Sequence, residues 1–261
     1  MVAQWWGEFE VKSHARRSWR LGPLSLWVTR LTNEWQVGHR WSSEPLDDTI
    51  ELCEGGEIPD EVELRRYLFS SGGRTLRVLP RVADRPVVTR PDLPVIIPAG
   101  EQATLYMASP LWVELAAGDP LKVFTSIPIW RASSTWFGED MIEGTLCYAT
   151  RTRARLDPAG LRPGPRVTTA VFVSNEHGEP LQVERLALPL PQMSVFRAAD
   201  GRLWTEGATV AYDPAVKAPA KIDSRPPREA GQTTRVSGPR EDPRANLLAR
   251  ALTAAIRGVT G

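Results

Sequence analysis

Sulfur and imidazole are scarce in this chain, whose 261 residues include only two cysteines, Cys53 and Cys147, and three histidines, His14, His39 and His177. Two cysteines exclude a disulfide-rich scaffold. Each lies in an apolar context, IELCEG or TLCYAT, that predicts a buried and inert thiol. The histidines stand in three separate segments without ligand spacing, which argues against a zinc site, and no metal or other cofactor is expected. His39 reads as a hydrogen-bonded core residue and His177 as part of a solvent-facing turn. Long apolar runs are also missing, since no stretch approaches the roughly 18 residues of a membrane-spanning helix. The start MVAQWWGEFEVK lacks both the basic beginning and the apolar core of a secretory signal, so a cytoplasmic location is expected. Neither a G-x-S-x-G elbow, S-x-x-K, H-E-x-x-H, paired C-x-x-C nor a P-loop occurs, so the commonest hydrolytic, metal-dependent and nucleotide-dependent chemistries have no signature here.

What the chain does have is alternation. Across 93–156 the stretches PVIIPAGEQATLYM, PLWVELAAGDPLKVF and TWFGEDMIEGTLCY alternate apolar and polar residues between prolines, as half-buried strands do. WWGEFEV, LGPLSLWVTRL and EWQVGHRW predict three sequential antiparallel strands, with Gly22-Pro23 and Thr32-Asn33 as turns. VELRRYLF and RTLRVLP flank a Ser-Ser-Gly-Gly turn and predict a pair. VTTAVFVSN and PLQVERLALPL flank Glu176 to Glu179, and MSVFRAA and RLWTEG flank Asp200-Gly201, a strong hairpin signal. Prolines 80, 86, 91, 94, 98, 110, 120 and 128 belong at strand ends, edges or bulges, because each lacks a ladder donor. The fold class is all-β, a mostly antiparallel β-sandwich built as two packed sandwich units. Residues 1–156 form its N-terminal and central region. Residues 166–213 add further strands, beyond the Pro/Gly-rich connection from Asp157-Pro158 to Pro165.

Charge is unevenly placed. Residues 214–261 hold nine basic side chains against four acidic ones, while 1–213 carry a net −4. Residues 214–242 are rich in Pro and Gly and too polar to bury much surface, and read as a flexible or surface-hugging linker. Residues 243–257 predict an amphipathic helix, with Asp242 as N-cap, Pro243 at the first helical position and Gly258 as the stop. Its apolar face carries Leu247, Leu248, Leu252 and Ile256. A lone helix of about 14 residues is marginal in water, so this face is a candidate interface for a protein partner or a second copy. Membrane-surface contact is disfavoured by the lack of Trp or Phe on it. Arg151, Arg153 and Arg155 alternate along one strand, too few for a specific nucleic-acid signal.

Ten tryptophans stand out. Trp5 with Phe9, and Trp35 with Val37, His39 and Trp41, share strand faces and belong in the core. Trp6, Trp27 and Trp112 lie opposite the apolar positions of their strands. They are therefore candidates for an interface or for stacking on sugar rings. Glu139, Asp140 and Glu143 beside Trp136 and Phe137, with Tyr148 downstream, form the other candidate group. They could bind a cation, act as a carboxylate pair or make up a solvated loop.

The succession VIIPAGEQATLYMASPLWVEL, LKVFTSIPIW and WFGEDMIEGTLCY, after the opening WWGEFEV and LGPLSLWV, resembles the prokaryotic family called domain of unknown function 432. The likeness covers residues 1 to about 213 and is densest at Trp136, Phe137, Gly138, Gly144, Cys147 and Tyr148. The resemblance implies no established activity, so no catalytic residue is carried over. A non-enzymatic binding or assembly module is the leading expectation. The alternatives are a glycan-binding module using the outward tryptophans and a hydrolase using the carboxylates near Trp136.

Overall fold

The computed structural model describes residues 4–43, 48–70, 73–91, 93–137, 144–161, 164–212, 221–242 and 255–258, with 151–153 and 255–258 described as backbone. The protein is all-β, with no helix of seven or more residues among the described residues. In chain order the strands begin with β1 (Gly7–Glu10), β2 (Arg16–Leu21), β3 (Leu24–Arg30), β4 (Glu34–Trp41), β5 (Ile50–Glu54), β6 (Leu64–Leu68) and β7 (Thr75–Arg81). They continue with β8 (Val87–Pro91), β9 (Val95–Ile97), β10 (Gln102–Pro110), β11 (Trp112–Ala117), β12 (Lys122–Pro128), β13 (Ser133–Phe137) and β14 (Thr145–Ala154). The remainder are β15 (Arg166–Asn175), β16 (Leu181–Leu188), β17 (Val195–Ala198), β18 (Leu203–Trp204), β19 (Ala208–Tyr212), β20 (Lys221–Ile222), β21 (Thr233–Ser237) and β22 (Ala255–Gly258).

The chain forms two compact units that are interleaved in sequence. The first comprises Met1–Arg81, Leu111–Arg131 and Pro163–Pro165; the second comprises Val82–Pro110, Ala132–Arg162 and Arg166–Gly261.

The first unit pairs a sheet ordered β1-β7-β11-β12 with one ordered β5-β2-β3-β4-β6. β2, β3 and β4 are a meander whose first turn is Gly22-Pro23, where Gly22 takes a positive φ of 53° that a side chain would resist. Alternation sends Trp19, Leu26, Val28 and Trp35 of one sheet inward, and Leu76, Val78, Val113 and Leu115 of the other, all of them buried. The layers meet directly. Phe9 packs edge-on against Trp19 at 5.5 Å, and Trp41 Nε1 donates to the Pro128 carbonyl at 2.9 Å. β1 pairs with β7 and not with its sequence neighbours. The expected pair VELRRYLF and RTLRVLP is likewise divided, because β6 joins β4 while β7 joins β1 and β11. Pro80 lies past Val78, the last β7 position opposite β1, so its missing donor costs that ladder nothing.

The second unit is built on β15, which pairs over nine positions with β10 and, in parallel, with β18 and β19. The resulting sheet runs β20-β19-β15-β18-β17-β21. One face buries Leu105, Met107, Val171 and Val173, and the other Tyr106, Ala170 and Trp204. Two short 3-10 turns accompany that second face. Leu161 follows Pro158–Gly160, and Ala230 lies within Arg228–Ala230. The Tyr106 hydroxyl donates to Glu229 Oε1 at 2.8 Å, and burial beside that carboxylate pushes it up to about 12. The other sheet is ordered β13-β14-β8-β16-β22, with β9 also on β16. β15 and β16, expected to flank one turn, belong to these two different sheets, whereas β17 and β18 pair across Asp200-Gly201 as expected.

The C-terminal segment departs from expectation. Ala255–Gly258 is a strand on β16, with Ile256 opposite Val183, so the predicted helix through 257 is not supported. Backbone pairing outcompetes the helical period there, since a short apolar window satisfies either. Leu247, Leu248 and Leu252 lie outside the described residues. Residues 221–242 are not a bare connector. They supply β20 and β21, and Arg240 Nε donates to the Val82 carbonyl at 2.7 Å.

Candidate functional site

An open end of the first unit, where β6 and β12 are the outermost strands of their sheets, concentrates exposed apolar surface. Among the described residues β6 pairs only with β4, with Tyr67 opposite Trp35 and Leu68 opposite Glu34. Phe69 N donates to the Asn33 carbonyl, which turns the backbone groups of the odd positions toward β4. Those of Leu64, Arg66 and Leu68 therefore point away from it. Side chains split the same way. Tyr67 and Phe69 turn inward, while Leu64, Arg66 and Leu68 stand on the outer face, Leu68 at 78% exposure.

β12 meets them with an irregularity. Its register on β11 steps from Leu115 opposite Thr125 to Ala116 opposite Val123, which leaves Phe124 as an extra residue in a β-bulge. The bulge aims Phe124 at β6, 4.9 Å from the Tyr67 ring and 5.6 Å from Phe69. Gly118, at φ 90°, makes room behind it, because a Cβ there would crowd the Phe69 ring. Outside this aromatic floor lie Leu68 and Val123, the latter 59% exposed, bordering a groove of about 520 Å³.

One ion pair anchors the outer face of β6. Arg66 donates to both carboxylate oxygens of buried Glu34, at 2.8 and 2.6 Å, and Gln36 donates to the same carboxylate at 2.7 Å. Those bonds, Arg66 first, hold Glu34 down to about 2 from an ordinary 4.5. A carboxyl whose acidity is strengthened by folding stabilises the fold above its unfolded value and loses that contribution as it protonates. The melting temperature of the protein, relative to Glu34→Gln, is accordingly expected to be constant above about pH 5 and to fall between about 4.5 and 2. A difference that does not change over that window would contradict the assignment.

The residues singled out from sequence are not brought together. Trp6, Trp27 and Trp112 are buried, at 7%, 8% and 6%, and are corrected from outward-facing to packed. Trp6 lies edge-on to Trp5, and Trp27, although on the outer face of its sheet, is covered by Arg40 and approached by Gly56. Trp136 is 46% exposed opposite Leu146, and a Cβ on Gly144 would overlap its indole. Phe137 is buried with Val88, Cys147 and Ala187, and Tyr148 is half-buried beneath Arg85. Glu139, Asp140 and Glu143, and the side chains of Arg151 and Arg153, lie outside the described residues. Cys147 is buried and its thiol pushed up to about 11, whereas Cys53 is exposed at an edge strand, against expectation. His39 is half-buried, and burial with Arg65 nearby lowers it.

Among the described residues, no group of three or more His, Cys, Asp or Glu side chains could hold a metal ion, and no helix is long and apolar enough to cross a membrane. The β6–β12 groove was missed in the sequence. Its signal is apolar residues on both faces of LRRYLF, Leu64 and Leu68 against Tyr67 and Phe69, which a strand with one solvated face does not need.

These features define an all-β protein of layered sheets with an apolar open end. The family model described as "Protein of unknown function (DUF432)" matches residues 5–256, nearly the whole chain, and the protein belongs to that family. The match takes in much of the basic tail as well as the body. No curated protein and no solved structure matches the chain.

Proposed function

We propose that this protein is a cytoplasmic, non-enzymatic binding or assembly module that works through the β6–β12 end of its first unit. The carrying observation is the coincidence of two outermost strands with exposed Leu68 and Val123 around the Tyr67, Phe69 and Phe124 floor. Unpaired strand edges with apolar side chains are ordinarily shortened, charged or covered. β12 is blunted by its bulge and by Pro128, and β1 is short and carries exposed Glu8 and Glu10. β6 has neither proline nor bulge, and of its two charges Arg66 is held by Glu34, which favours a surface kept open for use.

Cross-linking and mass spectrometry on the full chain at native expression tests this reading. Leu68→Asp with Val123→Asp, both at exposed positions, is expected to leave the melting temperature within about 3 °C, since surface changes rarely exceed about 0.5 kcal/mol. The same variant should abolish most intermolecular cross-links. Intermolecular cross-links that persist unchanged, or that map to other faces only, would refute it.

A further inference from the structure

We propose that the occupant of this groove is an extended, acidic segment of a partner protein that adds to β6 as a sixth strand of the β5-β2-β3-β4-β6 sheet; this rests on the binding reading above. The backbone parity supports strand addition. Leu64, Arg66 and Leu68 turn their N–H and C=O groups away from β4, at the spacing of two residues that an incoming strand requires. Side-chain alternation then sorts the segment into two faces. Residues directed inward would pack on Tyr67, Phe69 and Phe124, and the alternate residues would lie beside Arg66 on the outer face.

Charge selects the acidic class. Arg66 is 67% exposed and commits two of its five N–H donors to Glu34, so donors remain for a second carboxylate. Among the described residues, neither Arg65, next along β6, nor Lys122 on β12 has an ion-pair partner. Apart from Glu34, which Arg66 already holds, the described residues lining the groove include one carboxylate, Asp119. An incoming basic strand would meet the spare donors of Arg66 and the Lys122 ammonium at the rim, whereas an acidic one would be drawn in.

The experiment uses the full-length protein and fluorescein-labelled octapeptides of alternating isoleucine and glutamate, read by fluorescence anisotropy. The parent peptide is expected to bind, and its lysine counterpart at least tenfold more weakly. N-methylation at residues of one parity should weaken binding at least tenfold, and methylation at the other parity less than twofold, because only one set of amides faces β6. Leu68→Asp should weaken the parent peptide at least fivefold. Absence of binding, equal loss at both parities or equal binding of the lysine peptide would overturn the proposal. Sedimentation showing a dimer that Leu68→Asp dissociates would also overturn it, by identifying a second copy as the occupant. If cross-links vanish in the double aspartate variant but parity has no effect, the binding surface stands and strand addition falls.

Discussion

Replacing Asn175 by alanine should lower the unfolding free energy by about 3 to 5 kcal/mol, the largest polar effect expected in this protein. Asn175 ends β15 and is 1% exposed. Its Nδ2 donates to the carbonyls of Ile97 and Pro98, both at 3.0 Å, and of Glu179 at 2.8 Å, while its Oδ1 accepts from His177 N at 3.1 Å. One side chain therefore serves the connection leaving β9 and the turn before β16. Alanine removes all four bonds at once, each worth about 0.5 to 1.5 kcal/mol net, and takes its side-chain donor from the carbonyl of buried Ile97. Asn175→Asp retains the acceptor but turns a carboxylate toward three carbonyls, so it should be no better than alanine. Urea unfolding of the three proteins decides the matter, and a loss below about 1 kcal/mol for the alanine variant would show that the amide is not the tie described.

Truncation of Trp5 should cost a similar amount, about 3 to 5 kcal/mol, but for an apolar reason. The Trp5 indole is fully buried and packs edge-on to Trp6 at 5.5 Å, while the backbone carbonyl of Trp5 accepts from Trp19 Nε1 at 3.2 Å. Its own Nε1 is buried without a hydrogen-bond partner. Trp5→Phe therefore removes volume together with a donor that is already unsatisfied, and the loss should stay near 1 to 2 kcal/mol. Guanidinium unfolding of both variants separates the two contributions. A phenylalanine variant as damaged as the alanine one would mean that the ring N–H is satisfied after all.

Much of the architecture could be read from local pattern, and the failures share a cause. Alternation placed Trp35, Val37, His39 and Trp41 on one face, and Asp200-Gly201 marked the β17–β18 hairpin. Turn chemistry could not say which strands pair. The stretches that join β6 to β7 and β15 to β16 lead from one sheet to another, and the turn-forming residue types are the same in such connections as in hairpins within one sheet. The choice is made by distant burial, Tyr67 and Phe69 against Phe124 for β6, and Leu76 and Val78 within the neighbouring sheet for β7. The same limit explains Trp27. Its parity is outward, as the alternation requires, yet Arg40 covers its ring. Residues 221–242 show the converse, since a polar and Pro-rich stretch can still contribute strands through backbone groups that composition does not reveal. The groove at β6 and β12 was hidden by the Phe124 bulge, which breaks the two-residue rhythm where the aromatic floor is made.

The interleaving of the two units bears on how the chain is made. β7 receives its partner β11 only from Leu111–Arg131, after the chain has passed through Val82–Pro110 in the other unit. A ribosome that has released residues 1–110 has therefore delivered seven strands of the first unit, but neither β11 nor β12. Until translation proceeds further, the nascent chain carries Leu76 and Val78 on a strand open along one side, in need of protection from other unfinished chains.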